Sequence, residues 1–171
     1  MIPGFRPLRR QAGSAILGIS TRMEVDDMKL AVIDGQGGRI GKLVVEQLMQ
    51  TGLFDDGKHT LIAVGTNTVA TAAMLKAGAP LGATGENPAA VNCAGADVII
   101  GPVGIIAANS LLGEVTPRMA YAAAASRARK ILIPAGRCSI SIAGAAEIPL
   151  GDCVQAAVAE TVRVLSGETA V

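Results

Sequence analysis

Lys29-Leu-Ala-Val-Ile-Asp-Gly-Gln-Gly-Gly-Arg-Ile-Gly41 passes from an apolar run through a cluster of glycines into a helical pattern. Lys29 to Asp34 is apolar on both faces and predicts a buried strand. Gly35 to Gly38 predicts a tight turn. From about Gly38 the apolar spacing becomes helical and predicts a helix to Met49. Strand, glycine turn and helix in this order set a pyrophosphate on a helix N-terminus. Gly35 allows the sharp exit from the strand, Gly37 or Gly38 lets backbone N–H groups approach phosphate, and Gly41 lets the helix pack closely on the sheet.

The same alternation recurs along the rest of the chain. Thr60 to Gly65 predicts a second buried strand, followed by a helix capped by Asn67 or Thr68 and stopped at Gly78. Gly82 to Thr84 reads as a short strand, and Asn87-Pro88 starts a helix that ends at Gly95, with Pro88 in its first position. Asp97 to Ile100 is another apolar strand, Gly101-Pro-Val-Gly104 a loop, and Ile105 to Leu112 a short helix. Thr116 caps a helix from Arg118 to Arg127. Lys130 to Ile133 is a strand, Ser139 to Ala143 an edge strand, and Leu150 to Leu165 a final amphipathic helix. Strands apolar on both faces, alternating with helices, predict an α/β fold in a single domain: a doubly wound, Rossmann-like parallel sheet ordered 3-2-1-4-5 with a sixth strand at the edge.

Residues 1–27 differ in character, with Pro3, Pro7 and three early arginines, and are expected to form a disordered extension. Translation from Met28 is the alternative expectation. Residues 28–166 form the nucleotide-binding domain in this reading, and 167–171 a tail. Of the 171 residues, 50% are apolar but only 2% aromatic, so the core rests on Ala, Val, Ile and Leu, and no stacking platform for single strands is on offer. A net charge of +1 gives no footprint for nucleic acid. No apolar run approaches the roughly 20 residues that span a bilayer. Cys93, Cys138 and Cys153 form no metal-ligand pattern and fit free thiols in the cytoplasm.

Gly41-Lys42 is not a Walker A ending, because Gln36 stands five residues before Gly41 and Leu43 replaces the magnesium-binding hydroxyl. The spacing Gly35, Gly38, Gly41 instead resembles the glycine loop of short-chain dehydrogenases. The expected cofactor is NADP or NAD, and its expected contacts are Gly35, Gln36, Gly37, Gly38, Arg39, Ile40 and Gly41, with Thr66, Asn67 and Gly101, Pro102, Val103, Gly104 from neighbouring strand ends. An NAD site has an acid at the end of its second strand, and Val64-Gly-Thr-Asn67 has none. Thr66 and Asn67 either cap the helix or, with Arg39, meet a 2′-phosphate.

Catalytic residues are not evident. Tyr121, the only tyrosine, is followed four residues later by Ala125, so the Tyr-xxx-Lys pair of short-chain dehydrogenases is absent. His59, the only histidine, reads as a surface residue. Further polar residues near strand ends are Asp34, Glu86, Asn87, Asn109, Ser110, Glu114, Arg137 and Cys138. A non-catalytic sensor of a nucleotide or phosphorylated metabolite is the alternative to an NAD(P) enzyme. Few charges, 17% of residues, and alanine-rich helices lead to the expectation of a homo-oligomer.

From Met28 to about Leu165 the chain resembles an uncharacterised bacterial family of small Rossmann-like proteins, a domain of unknown function. The stretches that carry the resemblance are VIDGQGGRIG (32–41), VGTN (64–67), GATGEN (82–87), DVIIGPVGIIAANSLLGEVTP (97–117) and KILIPAGRC (130–138). The resemblance implies the fold and no established reaction; the N-terminal extension departs from the family's pattern. A lesser likeness links Thr60–Thr66 and Gly101–Gly104 to the phosphate-binding loops of methylglyoxal synthase, whose acid and histidine have no counterparts here.

Overall fold

The computed structural model describes residues 27–134, 140–142 and 148–168. Five parallel strands form one sheet: β1 (Lys29–Asp34), β2 (Thr60–Gly65), β3 (Leu81–Thr84), β4 (Val98–Pro102) and β5 (Arg129–Ile133), in the order β3-β2-β1-β4-β5. The first strand is therefore central, with Leu30 opposite both Leu61 and Val98. Five helices connect and cover the strands: α1 (Arg39–Met49), α2 (Thr68–Lys76), α3 (Glu86–Ala94), α4 (Pro117–Ala125) and α5 (Leu150–Leu165).

β1 shows why the sheet is doubly wound. Leu30 and Val32 point into one core with Val44, Val45 and Leu48 of α1, Met74 of α2 and Val154, Val158 and Leu165 of α5. Ala31 and Ile33 point the other way, into a core with Ala89 and Cys93 of α3 and Met119, Ala120 and Ala123 of α4. Side chains alternate across a strand, so a strand without a polar face needs helices on both sides. Each fully buried Leu or Val here contributes about 1.5–3 kcal/mol.

Several expectations shift in detail. Glu86, not Pro88, opens α3, and Gly85 caps it. Gly101 and Pro102 belong to β4 rather than to a loop, and Val103–Ile106 is a single 3-10 turn, with all four residues from Gly101 to Gly104 buried. The helix expected over Ile105 to Leu112 breaks into that turn and a second one, Leu111–Gly113, because Asn109, Leu111 and Leu112 take left-handed φ values of 62°, 52° and 60°. His59 is buried, not on the surface: its Nδ1 accepts the Met28 N–H at 3.3 Å and its ring meets Phe54 edge-on. Residues 140–142 belong to no strand, and Ser139, Ala143 and residues 1–26, 135–138 and 169–171 lie outside the described residues, so the sixth strand, most of the disordered extension and the expectations for Arg137 and Cys138 fall there. Among the described residues no helix is long and apolar enough to cross a membrane.

Candidate functional site

Because the strands are parallel, the loops that follow them gather at one edge of the sheet. There the glycine turn, the tip of β2 and the segment after β4 meet. Gly35 to Gly38 closes a turn in which the Gly38 N–H donates to the Gly35 carbonyl at 2.9 Å. Gln36 is left-handed, φ 51°, and its carbonyl accepts from Asn67 Nδ2 at 3.0 Å.

The four glycines of the stretch have different reasons to be there. A Cβ on Gly35 would lie 2.6 Å from Thr66 Oγ1 and 2.8 Å from Leu111 Cδ1. Gly38 has φ 66°, and a Cβ there would lie 2.7 Å from the Ala70 Cα of α2. A Cβ on Gly41 would lie 2.5 Å from Met74 Sδ and 2.9 Å from the Asp34 side chain. These three are required by the packing of the chain on itself. Gly37 is exposed, its φ is not left-handed, and a Cβ built on it meets nothing within 4 Å. Nothing among the described residues demands glycine at that position.

Asp34, the last residue of β1, turns its carboxylate under the turn. Oδ1 accepts the Gly35 N–H at 2.8 Å and Oδ2 the Gly41 N–H at 2.7 Å. Asp34 is buried, and burial raises its pKa above the ordinary carboxylate value; the N–H groups of Gly41, Gly35 and Ile40 oppose that rise, and the Glu114 charge adds to it. It thus caps the first turn of α1, taking up N–H groups that a helix start leaves unmatched. The N–H groups of Gly37 and Arg39 hydrogen-bond to no described residue.

Glu114 completes the site from 48 residues beyond Thr66. Its Oε2 accepts from the Gln36 N–H at 2.7 Å, the Thr66 hydroxyl at 2.5 Å and Asn67 Nδ2 at 2.8 Å. Burial pushes its carboxyl up, but these three donors outweigh burial and hold its pKa below the ordinary value. No described residue donates to Oε1. The sequence after β2 offers no acid, yet space supplies one at the tip of that strand. Asn67 also caps α2, its Oδ1 accepting from the Ala70 N–H at 2.9 Å, so the capping reading of Asn67 holds.

Glu114 is carried by the segment Asn109–Glu114, which folds over Gly35. Ser110 anchors that segment by donating to the Gly104 carbonyl at 2.5 Å, and Asn109 N–H donates to the Val115 carbonyl at 2.7 Å. Leu111 fills the gap between Gly35 and Gly104. Gly101 to Gly104 are therefore the buried floor of this edge, with Gly101 tight against the Ile33 carbonyl of β1. Glu86 stands farther along the edge, accepting from the Thr116 hydroxyl at 2.6 Å and from Arg118 at 3.3 Å. The Thr116 hydroxyl, which holds Glu86's carboxyl below its usual range, also caps α4 by accepting from the Met119 N–H.

The turn, Thr66 and Asn67 are brought together as expected from sequence. The partnership of Glu114 with them, and Leu111 over Gly35, had no local signal, since both depend on the path of the segment after β4. Among the described residues the site offers backbone donors at Gly37 and Arg39 without partners, an ionised carboxylate with one oxygen that receives no donor, and an exposed arginine side chain. Among the described residues no group of three or more His, Cys, Asp or Glu is arranged to hold a metal ion.

Comparison with known proteins gives one match: a family model described as a domain of unknown function, DUF3842, over residues 29–166. No curated protein and no solved structure matches.

Proposed function

Because the chain belongs to the DUF3842 family, whose description assigns no activity, we propose its function from the site alone: it binds a nucleotide of the NAD(P) type, with the pyrophosphate over Gly37 and the start of α1. Gly37 carries this reading. It is the one glycine of the turn that the chain's own packing leaves unexplained, and an exposed glycine beside unmatched N–H groups suits the close approach of a phosphate. Arg39, exposed at the first position of α1, adds charge on the same side.

A second reading, a sensor of a nucleotide or phosphorylated metabolite without catalysis, is favoured by the Asn109–Glu114 segment. Three of its residues are left-handed without being glycine, a strained arrangement that a ligand can bias. Among the described residues no acid–base pair at the edge argues for one reaction over another. The free, buried thiols of Cys93 and Cys153 suit a reducing cytoplasm. Self-association is part of the proposal, with exposed Val91 and Tyr121 on the adjoining helices α3 and α4 as its apolar contacts.

Thermal-shift measurements with NAD, NADH, NADP, NADPH, ATP and GTP test the reading. A nucleotide at 100 times its dissociation constant adds about 2.7 kcal/mol of stability. Gly37→Val, which meets open space, keeps the unliganded melting temperature and loses most of the shift. The absence of a shift with every nucleotide sinks the proposal. Gly38→Val is no substitute, because φ 66° and the Ala70 backbone make it unfold the turn whether or not a ligand binds.

A further inference from the structure

We propose that Glu114 determines which dinucleotide the site accepts: its Oε1, to which no described residue donates, takes the 2′-hydroxyl of the adenosine ribose and thereby selects NAD over NADP. This rests on the nucleotide-binding reading above and goes one step past it, to the chemical class of the ligand.

The Glu114 carboxylate sits where a dinucleotide's adenosine ribose would lie. In a doubly wound sheet the adenosine ribose lies beside the end of the second strand, next to the glycine turn. Glu114 is hydrogen-bonded to both places at once, to Thr66 and Asn67 at the tip of β2 and to the Gln36 N–H in the turn. It reaches them from the far side of β4, which is why the sequence after β2 shows no acid.

The two oxygens of Glu114 are used differently. Oε2 is held by three donors, which fixes the carboxylate plane and keeps the group ionised at neutral pH. Oε1 receives no donor from any described residue. A fixed, ionised acceptor with one open oxygen fits a hydroxyl group. It repels a phosphate monoester, which brings about two negative charges to the same place and has no donor at neutral pH.

The donors that the sequence alone offers to a 2′-phosphate are engaged elsewhere. The Thr66 hydroxyl and the Asn67 amide both donate to Glu114, so neither is available to a phosphate unless Glu114 leaves. Arg39 is the one cation of the turn, and it starts α1, where it serves the pyrophosphate equally well in NAD and NADP.

Calorimetric titration of the full chain with NAD, NADP and 2′-deoxy-NAD tests the assignment. NAD is expected to bind at least about tenfold more tightly than NADP, and 2′-deoxy-NAD about tenfold more weakly than NAD, the usual effect of a lost hydrogen bond to a charged group. Glu114→Gln, its folding checked by thermal melting, is expected to bring NAD and NADP within about threefold of each other. NADP binding as tightly as NAD, 2′-deoxy-NAD binding as tightly as NAD, or an unchanged ratio in folded Glu114→Gln overturns the role of Glu114 and leaves nucleotide binding standing. If neither dinucleotide binds, the nucleotide reading falls and this inference with it. Should Glu114→Gln fail to fold, the comparison of NAD with 2′-deoxy-NAD on the unaltered protein decides the matter.

Discussion

Asp34 and Glu114 are both carboxylates at the glycine turn, and their surroundings move them in opposite directions. Burial raises the Asp34 pKa above 3.8, so between that value and its folded pKa the folded state binds the proton better than the unfolded chain. The stability this proton gives is complete below 3.8 and is lost as pH rises through the folded pKa. Glu114 behaves in reverse: its pKa lies below 4.5, so its contribution is present above 4.5 and is lost as pH falls through its folded value. Asp34→Asn should lower stability by about 1–3 kcal/mol at acid pH, because the amide turns an N–H toward the Gly35 or Gly41 N–H. That deficit relative to the unaltered protein should shrink as pH rises, since only the unaltered protein loses the Asp34 proton. Urea unfolding across a pH series measures it; a deficit that grows with pH contradicts the assignment.

The segment Asn109–Glu114 holds three left-handed residues that are not glycine and concentrates backbone strain. Leu112 holds φ 60° while its side chain is 95% exposed, so the residue accepts an unfavourable backbone and buries almost nothing in return. Leu112→Gly should therefore stabilise the protein by about 1 kcal/mol, the relief of a left-handed non-glycine residue less the entropy of a glycine. A melting temperature that falls would mean the exposed leucine has a partner. The sequence reveals the regular elements well and this segment poorly, for one reason. Strands such as Leu30 to Ile33 and caps such as Asn67 and Thr116 are set by neighbours within a few residues, and their signals are local. The left-handed run at Asn109 to Leu112, the burial of His59 against Phe54, and the reach of Glu114 to Thr66 are set by chain packed from elsewhere. The glycine turn was legible as a turn, but which glycine faces open space could be known only from where Ala70, Met74 and Leu111 lie.

For the whole molecule, one face is formed by α1, α2 and α5 and the other by α3 and α4. On α3 and α4, Val91 is 60% and Tyr121 75% exposed. If copies of the chain pair through that face, light scattering at micromolar concentration gives a dimer mass, and Tyr121→Glu returns it to the monomer while leaving the fold intact. A monomer mass for the unaltered protein removes the proposal. The central place of β1 also matters while the chain is being made. β1 is synthesised first among the strands, yet its second edge is closed only by β4, 68 residues later as measured from Lys29 to Asp97. At ordinary rates of translation that interval lasts roughly 3–14 s. During it the central strand of the sheet, flanked at best by β2, presents open backbone and bare Leu, Val and Ile to whatever else is in the cell. A ribosome that stalls before Val98 thus leaves a nascent chain that chaperones must hold or proteases remove.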